Sequence, residues 1–266
     1  MDLGLQGKVV GITGGTAGIG KACALAYLRE GCSVAVCGRD TAKLRSFADE
    51  CLAAGYPNVL CHPADVADPA ALEGFVDAIA AGFGRIDVWY NNAGFGVRKP
   101  LLDVTWDEWD GLMNVNLRAV FIASQMVARR MIAQGGGVIA NAASFTTRIP
   151  VAGNGPYSVS KWGIGGLTKV LAAELAPHNI RVFAYVPGMI VTELTKERVE
   201  KQREQLSAQC ALNRLGEPED LASILVMLTS GRAGYFTGEM IDITGGKFCV
   251  QNPRFAWDRM EGDGKG

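Results

Sequence analysis

From Lys8 onward the chain alternates short apolar runs, rich in β-branched residues, with longer stretches whose apolar positions recur at helical spacing. Strands of a parallel sheet are buried on both faces and read as continuous apolar runs, so this rhythm is the mark of repeated βαβ units. The runs predict strands at Val9–Thr13, Ser33–Cys37, Asn58–Cys61, Ile86–Tyr90, Gly137–Ala142, Arg181–Val186 and Met240–Ile243, with helices between them. Right-handed crossovers then give an α/β fold, a doubly wound parallel sheet of about seven strands that gathers ligands at the carboxyl ends of its strands. No linker, repeat or low-complexity tract interrupts residues 1–246, which predicts a single domain. Two segments break the rhythm. Residues 189–209 are densely charged and predict a mobile helical flap, and residues 247–266 form a tail carrying Phe248, Phe255 and Trp257.

Composition narrows the picture mainly by exclusion. Of 266 residues 48% are hydrophobic and 20% charged, and the formal net charge is -1, so no electrostatic footprint for nucleic acid or an anionic membrane is present. No apolar run reaches membrane-spanning length, the start of the chain does not read as a secretion signal, and the expected location is cytoplasmic. The 7 cysteines show no C-x-x-C pair, and Cys61-His62 stands without further ligand candidates, so reduced thiols and no metal site are expected.

Directly after the first strand comes Thr13-Gly14-Gly15-Thr16-Ala17-Gly18-Ile19-Gly20, and a helical pattern follows at once. Glycines permit the tight turn and let backbone N–H groups approach a pyrophosphate, while the next helix offers its positive end. With its leading Thr13 the loop resembles the T-G-x-x-x-G-x-G loop of the short-chain dehydrogenases/reductases. The resemblance continues through Asp65-Val66, Asn91-Asn92-Ala93-Gly94, Asn116, Ser144, the Tyr157-x-x-x-Lys161 pair and Pro187-Gly188-Met189-Ile190-Val191-Thr192, roughly residues 5 to 246. It implies a Rossmann-like fold and a dinucleotide cleft formed by Gly14, Thr16, Gly18, Ile19, Gly20, Asp65, Val66, Asn92, Ala93, Gly94, Tyr157, Lys161, Pro187, Gly188, Ile190 and Thr192. In such a cleft Asp65 contacts the adenine, Asn92 to Gly94 brace the glycine loop, and Thr192 binds the nicotinamide amide.

The end of the second strand bears on the choice between NAD and NADP. A carboxylate there binds the ribose hydroxyls of NAD, whereas a 2′-phosphate needs that carboxylate absent and a cation near. The sequence reads Cys37-Gly38-Arg39-Asp40, and the planar fork of Arg39 matches a phosphate, which favours NADP. Thr16-Ala17, where relatives often carry a second cation, and the adjacent Asp40 leave NAD open, and Arg39 simply capping the strand end is the plainer alternative.

Carbonyl reduction needs a hydride donor, a proton donor and a group that holds the oxygen as charge develops. Tyr157 and Lys161 lie one turn apart at the start of a helical stretch, Pro156 to Ala176, and can face the same side. Both groups titrate near 10 when free, so a neighbouring ammonium and an oxidised nicotinamide are expected to favour the phenolate. By the resemblance Lys161 also bonds the nicotinamide ribose, Ser144 positions the substrate oxygen, and Asn116 holds a water linking Lys161 to solvent. Asn116 has modest helix propensity, and either a functional kink or a solvent-facing position accounts for it. A Ser-His-Asp hydrolase is disfavoured, because Ser144 lacks the G-x-S-x-G elbow and His62 and His178 show no sign of a triad.

The expected substrate surroundings, Phe95, Val97, Phe145, Ile149, Val151, Asn154, Met189 and the flap beyond it, are mostly apolar and suggest a medium-sized hydrophobic or cyclic ketone or alcohol. A β-ketoacyl thioester is the alternative substrate, and a non-catalytic dinucleotide sensor the alternative from another class. Arg98, Lys99 and Arg148 offer counter-charge to an anionic group. The resemblance implies a homodimer or homotetramer built on the helices around Trp106–Ile132 and Pro156–Ala176. The aromatic tail is expected either to cross to a neighbour or to pack on its own subunit.

Overall fold

The computed structural model describes all residues except Met1, Phe248 and 264–266, with side chains omitted for 261–263. The tail residue Phe248 therefore lies outside the described residues. Seven parallel strands form one sheet in the order β3-β2-β1-β4-β5-β6-β7: β1 (Val9–Thr13), β2 (Ser33–Gly38), β3 (Val59–Pro63), β4 (Val88–Asn91), β5 (Gly137–Ala142), β6 (Ile180–Pro187) and β7 (Met240–Ile243). The strand order reverses between β1 and β4, which opens a crevice beyond their carboxyl ends.

Successive side chains on a strand face opposite sides of the sheet, and the core divides accordingly. Val10, Ile12, Val34 and Val36 join one layer with α1 (Gly18–Arg29), α2 (Thr41–Ala53) and α8 (Pro218–Thr229). Val9, Ala35 and Cys37 join the other with α3 (Pro69–Phe83), α5 (Ala119–Gln134) and α6 (Gly155–Leu175). Truncating a fully buried member such as Phe75 to Ala would cost about 3–5 kcal/mol, lost burial plus cavity.

The strand expected at Ile86 begins two residues later. Ile86 spends its N–H and C=O on the side-chain amide of Gln134, and the Asp87 carboxylate accepts from the Val9 amide at 2.9 Å and from Arg85. Asp87 still bonds through its backbone to Val9 and Val138, so these residues anchor the sheet's amino-terminal edge just ahead of the strand. Helix ends follow local chemistry. Asp40 caps α2 by accepting from the amides of Ala42 and Lys43, Asp68 caps α3, and Thr105 with Glu108 forms a capping box on α4 (Trp106–Met113). Gly84 and Gly135 close α3 and α5 in left-handed conformations. Between α4 and α5 the helix passes through a π-turn at Asn114–Arg118.

The charged segment 189–209 carries the expected helix. Its helix α7 (Lys196–Ser207) turns Val199 and Leu206 inward onto Met189 and Leu215, a minimal apolar stripe under an otherwise charged face. In the tail, α9 (Phe255–Asp263) leans on its own chain. The Trp257 indole donates to the Ala211 carbonyl at 2.9 Å, and Arg254 donates to Asn213. Phe255 stays exposed. No helix among the described residues is long and apolar enough to cross a membrane.

Candidate active site

The glycine loop is held from below. Thr13 Oγ1 accepts from the amides of Asn92 and Ala93, and Asn92 Nδ2 donates to the carbonyls of Thr13 and Gly14, both at 3.1 Å. Gly14 has φ 65°, and a Cβ there would lie 3.1 Å from Ala93 Cα. At Gly20 a Cβ would come within 2.6 Å of Asn92 Nδ2, so this glycine serves packing and does not line the cleft. Thr16 also stays outside the lining, near Gly38. Helix α1 begins at Gly18 after Ala17, which supplies no side-chain cap, whereas α2, α3 and α4 are capped by their own side chains. Its first-turn amides thus face the cleft without a side-chain acceptor, as an anion site requires.

A cleft of about 570 Å³ runs along this loop, walled by Gly14, Gly18, Gly38, Asp65, Val66 and Ala93 among others. Arg39 lines it with a largely exposed side chain, its Nη1 4.0 Å from Asp65 Oδ2, while the carboxylate of Asp40 is taken up by the α2 amides. Ile19, Asn92, Gly94 and Thr192 also line a second cavity of about 360 Å³, so the two spaces are continuous. The size, the glycine cradle and the bare helix end fit a dinucleotide.

The second cavity brings Ser144, Tyr157 and Lys161 together. Ser144 follows β5, and Tyr157 and Lys161 stand on the first turns of α6, with the Lys161 ammonium 5.7 Å from the centre of the Tyr157 ring. Lys161 is buried and donates to the Ala142 carbonyl at 2.7 Å. Burial pushes its amine down to about 8, because the charged form loses water. Burial also raises the Tyr157 phenol above its usual value, opposed by a hydrogen bond with Ser144 and the nearby Arg98 guanidinium. In the protein alone desolvation is the largest of these influences on the phenol.

Asn116 sits in the π-turn, fully buried. Its Oδ1 accepts from the Phe95 amide, and its Nδ2 donates to the Phe95 carbonyl at 2.8 Å and to Ser160 Oγ. Its amide is directed to the backbone that borders the cleft, and Asn116 lines neither cavity. Phe95, expected beside the substrate, lines the dinucleotide cleft instead, because Asn116 fixes its backbone on that side. Phe145, Val151, Asn154 and Met189 line the second cavity, together with Pro187, Gly188 and Ile190, whereas Val97 and Ile149 do not. Asn154 Oδ1 is buried without a partner.

Tyr185 escaped the sequence reading, and Arg198 was reached there only as one charge of the flap. Tyr185, inside apolar β6, donates its hydroxyl to Asn92 Oδ1 at 3.0 Å and lines the second cavity. A tyrosine in a fully buried strand needs a polar partner, which was the available signal. Arg198 of α7 lines the same cavity, and nothing in its densely charged surroundings set it apart.

Comparison with known proteins agrees with this geometry. The family model for short chain dehydrogenase matches residues 8–203. The chain is 39% identical to the 3-oxoacyl-[acyl-carrier-protein] reductase FabG of Thermotoga maritima over 91% of its own length and 98% of that protein's. It is 36% identical to the (2S)-[(R)-hydroxy(phenyl)methyl]succinyl-CoA dehydrogenase subunit BbsD of Thauera aromatica, over 92% and 98% of the two chains. The crystal structure of a short-chain type dehydrogenase/reductase from Mycobacterium marinum superimposes with a TM-score of 0.88 at 36% identity, covering 92% of this chain and 97% of that one. With the motif order, the seven-stranded parallel sheet and the Ser144–Tyr157–Lys161 cavity in agreement, the chain belongs to the short-chain dehydrogenase family and is an oxidoreductase of that family.

Proposed function

We propose that the protein is an NADP(H)-dependent reductase of a small-molecule carbonyl, or the dehydrogenase of the matching secondary alcohol, with Ser144, Tyr157, Lys161 and Asn116 as its working residues. The observation that carries this reading is the union of Ser144, Tyr157 and Lys161 in one cavity continuous with the glycine-lined cleft. A bound nicotinamide supplies or accepts the hydride. Ser144 holds the carbonyl oxygen, and Tyr157 gives that oxygen its proton. A phenol raised by burial stays protonated near neutral pH and so stands ready as the acid. Lys161 supplies positive charge beside the phenol and steadies the phenolate once the proton has left. Asn116 holds Phe95 and with it the wall of the cleft.

NADP is favoured over NAD on two grounds. Gly38 leaves the end of β2 without a carboxylate, and Asp40 is committed to capping α2, while Arg39 remains turned to the cleft. The likeness to the Thermotoga maritima reductase favours a second reading, a β-ketoacyl thioester as substrate. A cytoplasmic homodimer or homotetramer completes the proposal. Exposed Trp106, Phe121, Val159, Trp162 and Val170 on α4, α5 and α6 support the assembly.

The test is a panel of ketones, cyclic ketones, sugars and acyl thioesters with NADPH and NADH, followed at the nicotinamide absorbance. Oxidation of NADPH by at least one class is expected, and thioester preference would select the second reading. Tight NADPH binding without oxidation by any of them would overturn both in favour of a sensor.

A further inference from the structure

We infer that the substrate carries an anionic oxygen group, a carboxylate or a phosphate ester, which Arg98 and Arg198 hold at the solvent end of the catalytic cavity. This rests on the reading of the cavity as a carbonyl-reducing site and adds the chemical class of its substrate.

The charges around the cavity are all of one sign. Its lining includes three cations, Lys161, Arg98 and Arg198, and no Asp or Glu among the described residues. The charge of Lys161 belongs to the chemistry at Tyr157. Other cations of this region have partners of their own: Lys99 pairs with Glu108 at 2.6 Å, Arg148 pairs with Asp242 at 3.0 Å, and Lys247, 5.1 Å above the Phe145 ring, donates to Gln209. Of the basic residues that the sequence offered as counter-charge, only Arg98 is left uncompensated, and α7 brings Arg198 to it from about a hundred residues away in the chain.

Neither guanidinium forms an ion pair among the described residues. Arg198 donates from Nε to Gln202 Oε1 at 3.4 Å, a long bond to a neutral group that leaves the rest of its fork uncommitted. The two side chains also feel each other. Burial, and then the charge of Arg98, makes the Arg198 cation harder to keep. Arg98 is exposed and Arg198 half-buried, so two like charges at the rim of one cavity repel each other and favour a ligand of opposite sign. No Asp or Glu among the described residues lines the cavity beside them, and an anion on the substrate would supply the missing charge. Arginine forks match carboxylate and phosphate oxygens with paired hydrogen bonds, which gives orientation as well as attraction. Between these guanidiniums and Ser144 the wall is apolar, with Phe145, Val151 and Met189, and suits the carbon skeleton that joins the anion to the carbonyl.

The position of Arg198 adds a consequence for the flap. Helix α7 is fastened by only Val199 and Leu206, so an anion bridging Arg98 and Arg198 would tie it to the loop that follows β4. Substrate binding and flap closure then become one event.

The experiment uses matched pairs of carbonyl compounds that differ in charge: 5-oxohexanoate with its methyl ester, and dihydroxyacetone phosphate with dihydroxyacetone, each reduced with NADPH by the intact protein. The charged member of at least one pair is expected to have a KM about tenfold lower than its neutral partner, and the preferred pair tells carboxylate from phosphate. In Arg98→Gln and Arg198→Gln that preference ratio should fall toward one, while Lys99→Gln, whose charge Glu108 already answers, should keep it. Equal or better reduction of the neutral members would overturn the inference and leave the carbonyl-reducing reading standing. A preference that survives in both arginine variants would overturn the assignment to these residues. No reduction of any member, charged or neutral, would overturn the underlying reading as well.

Discussion

Tyr185 and Asn92 are joined by a single hydrogen bond of 3.0 Å that links the substrate side of the site to the glycine loop. Because Tyr185 occupies the Asn92 oxygen, the Asn92 nitrogen is left aimed at the carbonyls of Thr13 and Gly14, which fixes the amide in its loop-bracing orientation. Replacing Tyr185 by Phe keeps the ring's packing and removes this constraint. The variant is expected to lose only about 1 kcal/mol of stability, the net worth of one hydrogen bond, because Asn92 is half-buried and lines the cavities where water can take the hydroxyl's place. Its KM for the dinucleotide should rise more than its kcat falls. Urea unfolding and steady-state kinetics check both, and an unchanged cofactor KM would reject the positioning role.

Tyr157→Phe should reduce turnover by about a hundredfold or more, since it removes the proton donor while leaving the ring in place. Dinucleotide binding, followed by fluorescence, should persist. In the parent protein, alcohol oxidation should climb with pH because it needs the phenolate that burial disfavours, whereas carbonyl reduction should show no such climb.

Burial of Lys161 has an effect on stability that is separate from catalysis. Its folded value near 8 lies below the 10.5 of the free amine, so between these values the unfolded chain holds more protons and stability rises with pH. Below pH 8 the amine is charged in both states and contributes no slope. Relative to Lys161→Met, which lacks the group, the parent should gain stability as pH goes from 8 to about 10.5, by at most about 3 kcal/mol. Parallel urea titrations at pH 7.5, 8.5 and 9.5 measure the gap. A parent that loses ground to the variant as pH rises would contradict a depressed Lys161.

Arg39→Ala should raise the KM for NADPH about tenfold and change that for NADH little, because a guanidinium bound to a phosphate is a charge-assisted contact absent from the other cofactor. Equal losses for both would point to a role for Arg39 at the strand end instead.

The layers of the fold were legible because each apolar run is bounded by a signal with a local cause: Asp40 and Asp68 start helices, and Gly84 and Gly135 stop them. The glycine loop and the Tyr157–Lys161 pair were legible for the same reason, since their geometry is set by near neighbours in sequence. What the sequence concealed depends on distance. The protonation of Tyr157 is governed by burial that only the assembled cavity creates, and Ile86 left its strand because Gln134, far along the chain, claims its backbone. Arg198 lies within a helix full of similar charges, and only the fold turns that one toward Ser144 and Tyr157.

The π-turn at Asn114–Arg118 carries one residue more than a regular helical turn would need. Shortening it by a single position would restore an ordinary α-helix, an easy gain in local regularity. It would also swing Asn116 by about 100° around the axis and release Phe95 from the amide that now grips it from both sides. A tidier helix would thus come at the expense of the cleft wall that Asn116 holds through Phe95.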